Sequence, residues 1–159
     1  MGIWRHMQAD EITEVIALAD RIHPDLPEEA AVFPERQRLF PQGCLVLEVE
    51  GQIMGYAVSH PILRDTPPAL NALLGAIPPE AQDYYIHDVA LAPELRGSGL
   101  ARQGIERLLE VAKGYDRACL VSVYGTAEFW GRFVFRPSEA DMTRKLAPYG
   151  EGAVFMVRD

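Results

Sequence analysis

The sequence predicts an α/β (α+β) fold, a mixed β-sheet with helices on its faces, as one domain over residues 1–159. Three observations carry this. β-prone runs and amphipathic stretches follow one another in the order β-α-α-β-β-β-α-β-α-β-β. A strand meets a helix across Arg96-Gly97-Ser98-Gly99-Leu100-Ala101, the stretch around which the chain is organised. The composition, 48% hydrophobic and 24% charged, is that of a globular chain long enough to bury an ordinary core. No internal repeat, low-complexity tract or linker interrupts it.

Each element rests on local signals. Gly2–Met7 is a short, mixed first strand. Asp10 is a candidate N-cap for a helix from Glu11 to about Ile22, with Ile12, Val15, Ile16 and Ala19 on one face. His23-Pro24-Asp25-Leu26-Pro27 breaks it. Glu28–Phe40 is helix-like, interrupted by Pro34 and closed by Pro41. Cys44–Val49 and Ile53–Ser59 form a hairpin about Glu50-Gly51-Gln52. The proline-rich stretch 61–82 is a loop, mobile or functional, with at most a short helix near Ala69–Leu74. Tyr84–Leu91 is a β-branched and aromatic strand, ended by Ala92-Pro93-Glu94. Leu100, Ala101, Gly104, Ile105, Leu108, Leu109 and Ala112 have helical spacing, stopped by Gly114. Ala118–Tyr124 is a strand and Thr126–Phe133 a short helix. Met142–Leu146 and Ala153–Val157 are the final strands.

At the strand-to-helix junction a helix presents unpaired N–H groups and the positive end of its dipole. Gly97 and Gly99 lack Cβ atoms, so the chain can turn sharply and an anion can approach the backbone. Such a site suits a phosphate or pyrophosphate. A glycine-rich turn before a helix is also an ordinary tight connection. It is not a Walker loop, since no Gly-Lys-Ser/Thr follows, and the Rossmann fingerprint would need a small residue at Arg102.

The formal charge of −8 and pI near 5.0 disfavour nucleic acid and anionic membrane as partners and permit a cationic substrate. Acidity also simply keeps a protein soluble. Cys44 and Cys119 read as two reduced thiols in a cytoplasmic protein, with no signal peptide in Met1–Asp10. No apolar stretch approaches the roughly 18 residues of a membrane span. The histidines are scattered, so no metal site is expected.

The motifs of residues 84–137 resemble those of the GCN5-related N-acetyltransferases, the acetyl-CoA-dependent GNAT superfamily. Arg96-x-x-Gly99-x-Ala101 is similar to the family's Gln/Arg-x-x-Gly-x-Gly/Ala pyrophosphate loop. Val89-Ala90-Leu91-Ala92-Pro93 resembles the approach to that loop. Ala127 to Pro137 resembles the family's Ala-x-x-Phe-Tyr-x-x-x-Gly-Phe-x-Pro segment. Trp130 stands where the family often has tyrosine, and Val134 where it has glycine; the second is expected to change only a local turn.

The resemblance implies a mostly antiparallel GNAT-like acyl-CoA acyltransferase fold. It implies acetyl-CoA as cosubstrate and an amine acceptor, in a monomer or homodimer. Cofactor binding falls on Val89, Ala90, Leu91, Arg96, Gly97, Ser98, Gly99, Leu100, Ala101, Arg102 and Trp130. The backbone N–H groups of Val89 and Leu91 would polarise the thioester carbonyl. Both residues also read as ordinary apolar strand positions.

Strand alternation puts Tyr85, His87, Val89 and Leu91 on one face, and Tyr84, Ile86, Asp88 and Ala90 on the other. His87 and Tyr85 match the place of a histidine pair in serotonin N-acetyltransferase-like members. An imidazole titrates near neutral pH and suits proton removal. His87 tied into a core network, Asp88 as base, and ordered water as base remain open alternatives. Indole is a poor proton donor, so Trp130 reads as a wall of the CoA channel, and Tyr124 is a possible acid or an ordinary half-buried tyrosine. The functional expectation is N-acetyl transfer to a primary amine of a small molecule, amino acid or peptide. Two alternatives stay open: a catalytically weak acyl-CoA-binding or sensor domain, and a nucleotide-binding protein outside the family.

Overall fold

The computed structural model describes residues 2–24 and 29–159. Its strands are β1 (Gly2–His6), β2 (Cys44–Val49), β3 (Gln52–Ile62), β4 (Asp83–Leu91), β5 (Arg117–Ser122), β6 (Arg136–Pro137) and β7 (Val154–Arg158). Its helices are α1 (Ile12–Ile22), α2 (Val32–Leu39), α3 (Leu100–Ala112), α4 (Ala127–Gly131) and α5 (Thr143–Leu146). The strands form one seven-stranded sheet in the order β1-β2-β3-β4-β5-β7-β6. Among the described residues β4 and β5, joined by the crossover helix α3, run parallel, and the other neighbouring pairs are antiparallel. No described helix is long and apolar enough to cross a membrane.

Both sheet faces are covered. On one, Leu100, Ile105 and Leu108 of α3 pack on Trp4, Leu45, Leu47, Tyr84 and Ile86. On the other, Val15, Leu18 and Ala19 of α1 and Phe33 of α2 pack on Val46, Tyr56 and Val58. α3 lies close to β1 because Gly104 has no side chain. A Cβ there would stand 2.6 Å from the Trp4 indole, whose Nε1–H donates to the Leu100 carbonyl at 2.8 Å. The hairpin between β2 and β3 turns through Glu50 and Gly51, both at positive φ, the geometry that matches strand twist.

Several boundaries differ from the sequence expectation, each for a local reason. Asp10 is not the N-cap. It sits in a 3₁₀ turn over Ala9–Glu11, and Glu11 there accepts the Gln8 N–H at 2.9 Å and pairs with Arg5. Pro34 does not interrupt α2, because it lies in the first turn, where the missing N–H has no partner to lose. The predicted break at 23–27 lies partly outside the described residues. Thr126–Phe133 shortens to α4, and Met142–Leu146 holds a helical turn rather than a strand. There the Asp141 carboxylate accepts both the N–H and the hydroxyl of Thr143. The sheet's missing strand is instead Arg136–Pro137, too short for any hydrophobic period to reveal.

The long loop at 63–82 contains no helix at Ala69–Leu74 and is pinned by polar contacts. The buried Glu35 carboxylate of α2 accepts the N–H groups of Leu74 (2.6 Å) and Gly75 (2.9 Å). Arg36 beside it donates to the Ala72 carbonyl at 3.0 Å and to Glu35 at 2.9 Å. Tyr149 donates to the Pro68 carbonyl at 2.9 Å. Desolvation alone would raise the Glu35 pKa, but those N–H donors and Arg36 hold it below the ordinary carboxylate value.

Val134 adopts φ +70, a left-handed backbone that favours glycine. A β-branched residue in that region is strained, and its side chain, 71% exposed, gains no packing in return. Val134→Gly should therefore raise unfolding stability, by roughly 0.5–1 kcal/mol after the entropy cost of glycine. Urea unfolding of the two proteins checks this; a lower midpoint would show that the turn is not strained.

Candidate active site

β4 pairs with β3 from Asp83 to Leu91 with one irregularity, but with β5 only from Asp83↔Arg117 to Ile86↔Leu120. Beyond Ile86 the two parallel strands separate. The Ala92 N–H donates to Met54 of β3 at 2.7 Å. Alternation along the strand then directs the Ala90 N–H toward β3 as well, and those of Val89 and Leu91 away from it, into the gap. The gap opens on a cleft of about 710 Å³. Val89, Ala90, Leu91, Arg96, Gly97, Ser98, Gly99 and Ala101 line it on one side, and His23, Tyr124 and Phe129 on the other.

The loop at the floor of this cleft is shaped by its glycines. The turn uses the N–H groups of Arg96 (to Pro93, 3.2 Å) and Ser98 (to Leu95, 3.1 Å). Gly97 and Gly99 take φ +79 and +81, and a Cβ at either would meet nothing within 4 Å. Glycine is thus required here for backbone conformation, with open space beside it. The N–H groups of Gly97, Gly99 and Ala101 remain as donors at the positive end of the helix dipole, while that of Leu100 donates to Ser98 Oγ at 3.3 Å.

Two expected members of this set have other partners. The Leu100 N–H donates to Ser98 Oγ and its side chain lies in the core. Arg102 does not reach the cleft: its guanidinium lies over the Phe133 ring, 4.7 Å from the centroid, and 3.8 Å from Glu106. Attraction to the ring face and the i+4 carboxylate holds it there.

The expected alternation along β4 fails at His87. Val58 pairs with Asp88 and the next residue, Ser59, with Ile86, so His87 has no partner on β3. This is a β-bulge, and it exchanges the faces beyond it. Tyr84 and Ile86 now share the α3 face with Val89 and Leu91. Tyr85 lies on the opposite face against Ile62, Cys119 and Phe155, and Ala90 packs on that same side of the sheet. Tyr85 and His87 stay together, ring centroids 6.1 Å apart, but no longer on the face of Val89 and Leu91. His60 completes the cluster, 5.6 Å from Tyr85 and 6.4 Å from His87. Burial, then the neighbouring His87, pushes the His60 pKa down to about 3, so its imidazole is neutral.

Comparison with known proteins identifies this arrangement. The Acetyltransferase (GNAT) family model matches residues 9–130, which include the strand, the loop and the helix after it. The chain belongs to the GNAT acetyltransferase family. Among solved structures, the loading GNATL domain of CurA from Lyngbya majuscula superposes with a TM-score of 0.84 at 16% identity, over 100% of this chain and 98% of that one. GphF, a GNAT-like decarboxylase in complex with isobutyryl-CoA, gives 0.79 at 19%, over 98% of each chain. Naa50 of Arabidopsis thaliana, in complex with the bisubstrate analogue CoA-Ac-MVNAL, gives 0.73 at 8%, over 99% and 98%. At these identities the likeness is one of fold. No curated protein sequence matches the chain significantly.

Within this GNAT frame, the other aromatic positions separate. Trp130 is 9% exposed, packed edge-on against Phe129 and Phe135. It lines a chamber of about 140 Å³ behind the cleft, with His87, Asp88 and Val89, and does not line the cleft itself. Tyr124 does. It sits at φ +56 just past β5, is 51% exposed, and lines the cleft, that chamber and a further one of about 50 Å³.

His23, legible in the sequence only as part of a helix break, lines the same three spaces. Its ring stacks on Tyr124 at 5.7 Å, and its Nε2 stands 3.2 Å from Oδ2 of Asp88. The Tyr56 hydroxyl donates to the same oxygen at 2.5 Å. Only the bulge brings Asp88 to this position, so no local signal could have paired it with His23.

Desolvation alone would raise the Asp88 pKa, but His23 and the Tyr56 hydroxyl outweigh it and hold the carboxyl below its ordinary 3.8. Asp88 is therefore a carboxylate at neutral pH and a weak proton acceptor. A group with a depressed folded pKa contributes stability that is complete above the unfolded value and is lost as pH falls through the folded one. Asp88→Asn should melt below the parent at pH 6, and the gap should narrow below about pH 4. Calorimetric melting from pH 6 to 2.5 reads this; a constant gap would mean that Asp88 is not held ionised.

Proposed function

We propose that the protein transfers the acetyl group of acetyl-CoA to a primary amine by direct attack on the thioester. The observation that carries this reading is that the N–H groups of Val89 and Leu91 point into a strand gap leading directly to the left-handed glycine loop. A pyrophosphate on Gly97, Ser98, Gly99 and Ala101, with Arg96 beside it, would leave the pantetheine arm along that gap. Val89 and Leu91 then face the carbonyl oxygen as it gains negative charge, where fixed donors are most effective.

His87, at the bulge and lining both chambers, takes the amine proton, directly or through a water. Tyr85 packs on its ring and fixes its orientation. Tyr124 is the hydroxyl available to protonate the departing thiolate. Trp130 is a buried wall behind the cleft, so its indole donates no proton. The loss of the family tyrosine therefore does not by itself favour a binding-only module.

Free-thiol release from acetyl-CoA across a panel of amines tests the reaction, with a carboxyacyl-CoA included because one structural neighbour is a decarboxylase. Gly99→Ala, strained at φ +81, should weaken acetyl-CoA binding in calorimetry by about tenfold or more while the chain still folds. His87→Ala should lower turnover by about 10²–10⁴-fold with acetyl-CoA affinity unchanged. Unchanged binding for the first variant would move the pyrophosphate site. Unchanged turnover for the second would assign proton removal to another group. Decarboxylation without amine consumption would replace the proposed reaction.

A further inference from the structure

Two chambers adjoin the cleft at His23 and Tyr124 and share the His87–Asp88 wall. Among the described residues their ionisable lining is one carboxylate, Asp88, two imidazoles, His23 and His87, and tyrosines. Asp88 lines both, tied by Tyr56 and His23. Tyr85, Tyr124 and Tyr149 line the smaller one. Among the described residues neither wall contains a lysine or arginine, and residues 25–28 (Asp-Leu-Pro-Glu) have none in their sequence. Three basic side chains of adjoining elements are engaged elsewhere. Arg36 holds Glu35 and Ala72, Arg117 holds Asp83 and Asp65, and Lys145 donates to the Asp65 carbonyl.

We propose that the acceptor is a small primary amine with no carboxylate beside its nitrogen, met as an ammonium by Asp88 and the tyrosine rings. This rests on the acetyl-transfer reading and narrows it to one substrate class. An ammonium gains from a poorly hydrated carboxylate and from aromatic ring faces. An α-amino acid would bring a second carboxylate close to Asp88, with only the imidazoles of His23 and His87 on the described walls to meet it, and His23 is already paired with Asp88. Discrimination then comes from repulsion as much as from attraction.

The test uses three probes of one shape: 2-phenylethylamine, L-phenylalanine, and L-phenylalaninamide, which has the bulk of the amino acid without its charge. Each is titrated calorimetrically into protein saturated with CoA, and each is assayed by thiol release from acetyl-CoA. Phenylethylamine and the amide should be bound and acetylated, with kcat/KM about 100-fold or more above phenylalanine. Asp88→Asn should shrink that ratio to about tenfold or less, chiefly by raising KM for the amine, with acetyl-CoA affinity unchanged. Leu70→Arg, at a half-buried loop position in the wall of the smaller chamber, should raise phenylalanine kcat/KM about tenfold or more, and keeps the test decisive if Asp88→Asn does not fold.

Phenylalanine accepted as well as phenylethylamine overturns the proposal. So does an amide rejected as strongly as phenylalanine, which would make bulk the criterion. CoA binding without binding of any probe overturns it while leaving the acyltransferase reading intact. Failure to bind CoA at all removes that reading and this one together.

Discussion

The constraint on which the site depends is that β4 and β5 stop pairing at Ile86. A parallel ladder satisfies the N–H and C=O groups between its strands, and a buried strand normally leaves none of them open. Here the ladder ends with the strand only half used, and β4 continues for five residues supported by β3 alone. The separation creates the space and exposes the Val89 and Leu91 donors in the same act. α3, the crossover between the separating strands, then places its N-terminus at the far end of the gap. Sheet, gap and helix terminus are one geometric consequence, so the proposed polarising groups and the proposed phosphate site keep a fixed distance from each other.

The bulge at His87 adds the second layer. Without it, Asp88 would point to the α3 face, into a core of Leu45, Leu47 and Ile105, where an ion would have no partner. With it, Asp88 meets His23 and Tyr56, and His87 lies beside Tyr85 and His60. The titratable groups around the chambers are thereby differentiated: Asp88 is held ionised and His60 neutral. Separation of this kind among neighbouring ionisable groups is what acid–base chemistry at one pH requires.

Most of the sheet and the loop were legible because their signals are local. The hexapeptide 96–101, the amphipathic period of α3 and the hairpin at Glu50-Gly51 each state their geometry within a few residues. What could not be read depends on partners far along the chain or on departures from period. Strict alternation misplaced Val89 and Leu91 relative to His87, because a bulge is set by register with β3 rather than by β4's own residues. The contacts of Arg102 with Phe133 and Glu106 carry no sign in the loop motif itself. His23 carried no local sign of its contact with Asp88. Met142–Leu146 has strand-like composition, yet Asp141 and Thr143 close a helical turn there.

The clamp on the loop before β4 has a direction. Glu35 accepts from two N–H groups, and Arg36 donates to a C=O, so the pair reads the polarity of the backbone it holds. Exchanging the two residues would conserve charge and volume but set a guanidinium against the N–H groups of Leu74 and Gly75 and a carboxylate against the Ala72 carbonyl. The pair therefore cannot be inverted as a surface ion pair can. Leu70, on the chamber wall, lies in the same loop shortly before the clamped residues. Insertions or deletions between them would shift that wall while the anchor stayed in place. In divergent descendants of this sequence, the length of that loop and the Glu-Arg dipeptide of the second helix should change as a linked pair.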